Sequence, residues 1–300
     1  MEFTIDLIEK HLLETFKDKD MSYLALTSRS ENTFRDLFAE HMQNTFAENQ
    51  ILVSRESKIK YDTPIKQLSF YDKFKNSSIK PQRFYSKTFV DLLISEYTFE
   101  LEKRVFIEFG WHYSTEYLWR SQQIRNKIIN DFGKNIPALV IENEKIRKKA
   151  RKCELKFFQI MFIVDFEIDS RLTPGEANKK YSGVIRHLFD YGPDSNGLYK
   201  EMTSFKKKQM NSSLLKIMQD KAFGEDMNSP KLKYPYSNKR VGKLGIIHNF
   251  QEFNVQIYYI IFQKEWCTCE TPSDYIKWNS ICSNCNKESL ESLYIDLKSQ

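Results

Sequence analysis

The chain has 300 residues, of which 41% are hydrophobic, so it can bury a core as one large domain or two modest ones. It contains no apolar run of membrane-spanning length, and its acidic, mixed N-terminal segment does not resemble a signal peptide. We therefore expect a cytoplasmic protein without a membrane span. The 46 Lys and Arg residues exceed the 40 Asp and Glu residues by a net charge of +6, which suits a nucleic-acid partner without demanding one.

The first half of the chain has the apolar pattern of a compact α/β arrangement. Residues 31–48 are predicted to form a helix because one apolar stripe recurs at helical spacing, at Phe34, Leu37, Phe38, His41, Met42 and Thr45. Apolar runs predict strands at residues 51–56, 88–94, 104–109, 155–168 and 254–262. Polar, proline-containing residues 62–87 predict a loop, and residues 116–132 and 139–152 predict further helices.

The character of the chain changes after residue 169. Most of the Gly and Pro residues lie within 170–250, together with basic runs at 206–208 and 231–243. We therefore expect a core at residues 1–169, an accessory or inserted region at 170–250, and a C-terminal part at 251–300. This last part contains the final strand and a cysteine-rich segment.

Four of the five cysteines cluster near the C-terminus, at Cys267, Cys269, Cys282 and Cys285. A Cys-x-Cys pair and a Cys-x-x-Cys pair can supply the four thiolates of a tetrahedral zinc site. Four thiolates fill the coordination shell, so we expect a structural Zn²⁺ ion rather than a catalytic one. The alternative is a chance cluster of unpaired or oxidised cysteines.

Three acidic residues occupy positions that packing alone does not explain. Glu31 borders the apolar stripe of the predicted helix, Asp91 interrupts the run FVDLLI, and Glu108 interrupts the run VFIEF. A buried carboxylate is costly unless it is paired or binds a metal. Together the three acids predict an oxygen-ligand Mg²⁺ site, which could activate a water for attack on a phosphodiester. The alternative is that each acid faces solvent or pairs with a local base such as Arg55, Lys103 or Arg104.

The order of these segments resembles the PD-(D/E)xK superfamily, which has the restriction-endonuclease-like fold. The resemblance covers residues 25–168: the helix with SENTFRDLFAEHMQ, the strands with VSRE, FVDLLI and VFIEF, a helix, and the strand FFQIMFIVDF. It implies an α/β (α+β) fold with a mixed central sheet flanked by helices, and a Mg²⁺-dependent DNA endonuclease of a restriction or defence type. The implied site residues are Glu31 on the helix, Asp91 on one strand and Glu108 on the next.

The sequence departs from the family pattern at one position. The lysine expected two residues after Glu108 is replaced by Gly110. Either a basic residue from another element, Lys127 or Arg125, takes over its role, or the protein binds nucleic acid without cutting it. His112 is a candidate for proton transfer, although a lone His is more often structural.

A second Glu-x-Lys motif, Glu154-Leu155-Lys156, is the lesser candidate for the family signature. It matches the spacing, but no strand Asp precedes it convincingly.

Basic segments supply candidate surfaces for DNA. Six of the eight residues at 145–152 are basic, and the run at 231–243 interleaves lysines with Tyr234 and Tyr236. Solvated helix faces have the same composition, so this signal depends on the nuclease interpretation. We therefore expect a Mg²⁺-dependent endonuclease acting on DNA, as a homodimer if it cuts both strands. The alternatives are a silent nucleic-acid-binding protein on the same fold and a zinc-containing protein-interaction module.

Overall fold

The fold is built on one mixed β-sheet. A computed structural model of the chain describes residues 2–21, 25, 31–47, 51–67, 83–97, 101–114, 131, 135, 152–168, 218, 238–250 and 253–264. Within these residues, six strands form a single sheet, and two helices pack on one of its faces. This is an α+β arrangement, in agreement with the mixed sheet and flanking helices expected from the sequence.

The elements follow one another in a simple chain order. The helices are α1 (Ile5–Phe16) and α2 (Glu31–Thr45), and the strands are β1 (Ile51–Gln67), β2 (Arg83–Tyr97), β3 (Leu101–Tyr113), β4 (Lys152–Ile168), β5 (Asn238–Phe250) and β6 (Phe253–Lys264). The spatial order is β1-β2-β3-β4-β6-β5. All neighbouring pairs are antiparallel except β3 and β4, which are parallel and therefore require a crossover connection.

The main core lies between the two helices and one face of the sheet. Phe34 of α2 is fully buried, and its ring centroid lies 4.8 Å from Phe16, 4.8 Å from Trp111 and 4.9 Å from Phe162. Alternation along each strand assigns Ile107, Phe109 and Trp111 to this face, which we call the helix face. Glu108, Gly110 and His112 consequently point to the other face, which we call the second face.

Helix α1 ties the N-terminus to the far edge of the sheet. Thr4 caps the helix through its Oγ1, which accepts from the Leu7 N–H at 3.2 Å, and Ile8, Leu12 and Phe16 bury one stripe against the core. The Tyr259 hydroxyl of β6 donates to Glu9 Oε1 at 2.7 Å. The helix is therefore held by residues from the opposite end of the chain. Neither this helix nor the other described one is long and apolar enough to cross a membrane.

The structure extends several elements beyond their predicted bounds. Helix α2 and strands β3, β4 and β6 agree with the predicted segments to within a few residues, whereas β1 and β2 continue into the predicted loop at 62–87. Strand β5 lies in the predicted accessory range but pairs with β6 in the same sheet. Helix α1 was not predicted. The predicted helices at 116–132 and 139–152 fall almost entirely outside the described residues.

Candidate functional site

Strands β2 and β3 separate in the middle of the sheet. They pair only over Leu92–Tyr97 and Glu102–Ile107. Beyond Leu92, β2 runs back to Arg83 along β1, and beyond Ile107, β3 runs on to Tyr113 along β4. We call this point of separation the fork. Asp91 and Glu108 are the first residues past it, one on each strand.

Asp91 replaces the backbone partner that β3 loses at the fork. Its Oδ2 accepts a hydrogen bond from the Phe109 N–H at 2.8 Å, a bond that β2 backbone would otherwise supply. The ladder with β1 is also interrupted here, because pairing runs Arg55 with Leu92 and Ser57 with Val90 around Glu56 and Asp91. Asp91 therefore lies in a gap of the backbone ladder on both sides.

Glu56 has a strained backbone beside this gap. Its φ of 47° lies in the left-handed region, which non-glycine residues seldom adopt and which costs about 1–3 kcal/mol. Its carboxylate accepts from Arg35 Nη1 at 2.9 Å, and the preceding Arg55 reaches Asp36 at 3.7 Å. Two consecutive strand residues thus contact α2, which regular alternation would forbid. The left-handed backbone at Glu56 thus coincides with the interruption of the β1–β2 ladder and with these contacts to α2.

Glu108 is a buried carboxylate with an amide partner. It is 1% exposed on the second face, and its Oε1 accepts from Asn135 Nδ2 at 2.8 Å. The same Nδ2 donates to the Asp131 carbonyl at 2.9 Å, and Asp131 Oδ2 accepts from Gln159 Nε2 at 3.5 Å. Gln159 lies directly beside Glu108 in the β3–β4 register. Glu108, Asp131, Asn135 and Gln159, together with Asp91, form what we call the fork cluster.

The fork cluster contains an acceptor that the described residues leave open. Asn135 is fully buried, and among the described residues its Oδ1 has no hydrogen-bond donor. Both bonds of its Nδ2 fix the orientation of the amide, so a flip would lose them. A buried carbonyl-type oxygen of this kind is satisfied by a water or a cation. The donor set of the cluster is oxygen-rich, which is the set that Mg²⁺ prefers.

His112 lies beside Gly110, the position at which the resemblance implies a lysine. Gly110 lies on the second face two residues after Glu108, and a Cβ at this position would lie 3.9 Å from His112 Nε2. The imidazole is therefore one of two side chains that border position 110. The nearest other atom is Met161 Cγ at 3.6 Å, which is an ordinary contact. His112 is thus the basic side chain that the described residues place next to Gly110.

Glu31 lies on the other side of the sheet from Glu108. It begins α2, whose Phe38 packs on Phe109 and whose Phe34 packs on Trp111, so its end of α2 lies towards the C-terminal end of β3 on the helix face. Among the described residues, Glu31, Asp91 and Glu108 do not bring three ligand atoms within 4.8 Å of one another. A site at the fork would therefore rest on Asp91 and Glu108 without Glu31.

The second Glu-x-Lys motif is an ion-paired contact at the start of β4. Lys156 Nζ lies 3.1 Å from Glu154 Oε1 and donates to the Phe3 carbonyl at 2.8 Å. Glu154 also lies 3.7 Å from Lys103. These residues fasten the N-terminal segment to the sheet, and the even positions 154 and 156 of β4 project to the helix face, away from the fork cluster.

Several predicted site residues lie outside the described part of the chain. They are Lys127, Arg125, the zinc-binding candidates Cys267, Cys269, Cys282 and Cys285, and the basic segments at 145–151, 206–208 and 231–237. The zinc site and the replacement of the family lysine by Lys127 therefore stay predictions.

Sequence reasoning missed part of the fork cluster. Gln159 interrupts the apolar run FFQIMFIV in the same way that Glu108 interrupts its own strand, and that signal was available. Asp131 and Asn135 carried no such signal, because polar residues at a spacing of four on a helix are usually a solvated face. A second missed group consists of His11, Glu14 and His41, which lie between the two helices.

Comparison with known proteins identifies no relative of this chain. The chain matches no protein-family model, no curated protein and no solved structure. Function is therefore argued from the geometry of the site itself.

Proposed function

We propose that the protein is a metal-dependent nuclease that hydrolyses DNA phosphodiester bonds at the fork. The observation that carries the proposal is the placement of Asp91 and Glu108 on neighbouring strands where β2 leaves β3, with Glu108 buried among polar partners. Mg²⁺ is commonly held by only one or two carboxylates and keeps several waters, so two strand acids are sufficient ligands. The proposal names Asp91 and Glu108 as these ligands, with Asn135 Oδ1 as a further oxygen.

The chemistry follows from these roles. A bound Mg²⁺ would supply an activated water and offset charge on the phosphate under attack. His112 would accept the proton of the attacking water, because its Nε2 lies beside Gly110 on the face that carries Glu108. Asn135 and Gln159 would orient the acidic groups. The attack forms a new P–O bond, and the bond to the leaving sugar oxygen breaks.

The order and direction of the strands also support the proposal. Helix α2 is followed by three successive antiparallel strands and then by β4, which is parallel to β3. This is the order of elements on which the resemblance to the restriction-endonuclease-like fold rests. The two acids lie on neighbouring strands of this order, each at the first position past the fork.

A basic arm next to the fork offers a surface for the DNA backbone. Past the fork, Ser57–Gln67 of β1 pairs with Arg83–Val90 of β2 over roughly 25 Å. The arm contains Lys58, Lys60, Lys66, Arg83 and Lys87, with Asp62 as its only acidic residue. Lys60 and Lys87 are direct Cα partners in the β1–β2 register, so basic residues occur on both strands of the arm. A polyanion lying along this arm would reach the fork.

The decisive experiment measures cleavage and binding separately. Purified protein is incubated with supercoiled plasmid and Mg²⁺, and conversion to nicked and linear forms is followed on gels. Binding to a labelled duplex is measured by fluorescence anisotropy in EDTA. The variants are Asp91→Asn, Glu108→Gln and His112→Ala. The matched control is Glu96→Gln, which removes a carboxylate from the far end of β2, where Glu96 pairs with Lys103.

The outcomes separate the proposal from its rivals. We expect Mg²⁺-dependent cleavage that falls by at least about a hundred-fold in Asp91→Asn and Glu108→Gln, with the control unchanged. Binding without cleavage by the unmodified protein would establish the silent nucleic-acid-binding protein instead. Equal cleavage by all variants would exclude the fork as the active site. Neither binding nor cleavage would favour the zinc-containing interaction module.

A further inference from the structure

Two histidines and a glutamate form a compact triangle between the helices α1 and α2. His11 Nδ1 lies 3.2 Å from His41 Nε2 and 3.3 Å from Glu14 Oε2, and His41 Nε2 lies 3.6 Å from the same Glu14 oxygen. All three distances therefore join the same three atoms. In the described part of the chain, this is the only set of three His, Cys, Asp or Glu ligand atoms within 4.8 Å of one another.

The two helices place these side chains by their packing. His11 and Glu14 are three residues apart on α1 and so project from the same side of that helix. His41 comes from α2, which packs against α1, and the His11 ring is held edge-on by Phe46 at 5.1 Å between centroids. His11 is 4% exposed, whereas the side chains of His41 and Glu14 are 25% and 44% exposed. One corner of the triangle is thus fixed in the core and the others border solvent.

The dimensions of the triangle match three corners of a metal tetrahedron. With metal–ligand distances of about 2.0–2.2 Å, neighbouring ligand atoms of tetrahedral zinc lie about 3.3–3.6 Å apart. A hydrogen-bonded set would instead favour separate near-linear contacts, because each N–H can point well at only one acceptor. His11 Nδ1, Glu14 Oε2 and His41 Nε2 each lie close to the other two atoms, and one cation bound by all three explains this arrangement better.

We propose that His11, Glu14 and His41 bind a divalent transition-metal ion of the zinc class, which joins α1 to α2. Two imidazoles and one carboxylate suit Zn²⁺ and its neighbours in the first transition row, whereas Mg²⁺ prefers an all-oxygen set. Three protein ligands leave the fourth position open to a water or an exogenous ligand. This site shares no residue with the cysteine segment or with the fork cluster, and it does not depend on the proposed nuclease activity.

The site is tested on the full-length protein by metal content and by spectroscopy. Protein stripped with a chelator is dialysed against Zn²⁺, and bound metal per chain is measured by mass spectrometry. The variants are His41→Gln and Glu14→Gln, whose side chains are partly exposed and can be replaced without opening the core. The control is Glu40→Gln, which removes an exposed carboxylate from α2. Circular dichroism verifies that every variant is folded.

We expect each ligand variant to hold one equivalent of Zn²⁺ less than the unmodified protein and the control, or to bind that equivalent at least about ten-fold more weakly. Zinc at a hundred-fold excess over Kd should raise the melting temperature of the unmodified protein by about 5 °C, and millimolar Mg²⁺ should not replace it.

Cobalt substitution distinguishes this site from the predicted thiolate site. Thiolate ligands add a charge-transfer band in the near ultraviolet, and a nitrogen and oxygen site does not. Loss in His41→Gln of the visible d–d absorption of one Co²⁺ equivalent, with any thiolate charge-transfer band unchanged, would support the proposal. Equal metal content and equal spectra in the unmodified protein and both ligand variants would overturn it. In that case the three residues form a hydrogen-bonded contact only.

Discussion

The hydrogen bond between Asn135 and Glu108 gives the sharpest test of the fork cluster. Both side chains are almost fully buried, and the Nδ2–Oε1 distance is 2.8 Å. We expect Asn135→Ala to lower the free energy of unfolding by about 2–3 kcal/mol in EDTA. This figure follows because a hydrogen bond to a charged group contributes about 1.5–3 kcal/mol and its loss leaves a buried carboxylate less well solvated.

A double-mutant cycle with Glu108→Gln isolates the contact. A neutral acceptor contributes only about 0.5–1.5 kcal/mol, so Asn135→Ala should cost about 1 kcal/mol in the Glu108→Gln background. The coupling energy between the two positions is therefore expected to be about 1–2 kcal/mol. Urea denaturation followed by Trp fluorescence and circular dichroism measures each unfolding free energy, and a constant m-value verifies that the unfolded states are comparable.

The result that would refute this reasoning is additivity. If the two substitutions add to within about 0.5 kcal/mol, the residues are energetically independent and the buried contact does not organise the cluster. A loss below about 0.5 kcal/mol for Asn135→Ala alone would lead to the same conclusion. Either result would also remove the support that Asn135 gives to a metal at the fork.

Three further predictions concern the fold. Phe34→Leu should lower the free energy of unfolding by about 1–3 kcal/mol in urea denaturation, because its contacts with three aromatic rings are lost. Gly242→Ala should lower the melting temperature, because the new Cβ would collide with the Tyr259 hydroxyl and displace it from Glu9. Burial, with a contribution from Asp165, raises the pKa of Tyr258 to about 12. The unfolded chain therefore ionises this phenol at a lower pH than the folded protein does, and the free energy of unfolding should fall between about pH 10 and 12. Urea denaturation at each pH measures this loss.

Each of these predictions has a control within the chain. Phe89→Leu, at a position that is 50% exposed, should cost less than about 0.5 kcal/mol. Gly110→Ala should melt close to the unmodified protein, because its Cβ meets nothing nearer than 3.6 Å. Tyr258→Phe should flatten the alkaline loss of stability, because the unfolded state then has one fewer phenol to ionise. Equal effects in variant and control would contradict the corresponding prediction.

The central sheet was predictable where burial is one-sided or complete. Strand β4 reads as a continuous apolar run because helices and neighbouring strands bury it, and α2 reads as a single stripe. The extension of β1 was not predictable, because its end is polar and contains Pro64. The structure accommodates this proline with a register shift between Lys60 and Ile65, where the ladder needs no donor from it.

The residues of the candidate sites also differ in whether the local sequence reveals them. Asp91 and Glu108 stand out in the sequence because they interrupt apolar runs, which is a local signal. Asn135 joins Glu108 from 27 residues away, and His11 meets His41 from 30 residues away. Such meetings depend on how helices dock on the sheet and on each other, and no spacing within one segment reveals that. His41 was therefore assigned only to the apolar stripe.

The contact between Glu9 and Tyr259 has a consequence for how the chain acquires its fold. These residues are 250 positions apart, and α1 packs on β5 and β6, which are made late in synthesis. During translation, α1 emerges before β5 and β6 and has no complete docking surface until residue 264 has left the ribosome. Its apolar stripe stays accessible for most of that time, which favours chaperone binding and slow, late completion of the core. Truncation of the chain before β6 should therefore yield an aggregation-prone product in which the apolar stripe of α1 is left partly uncovered.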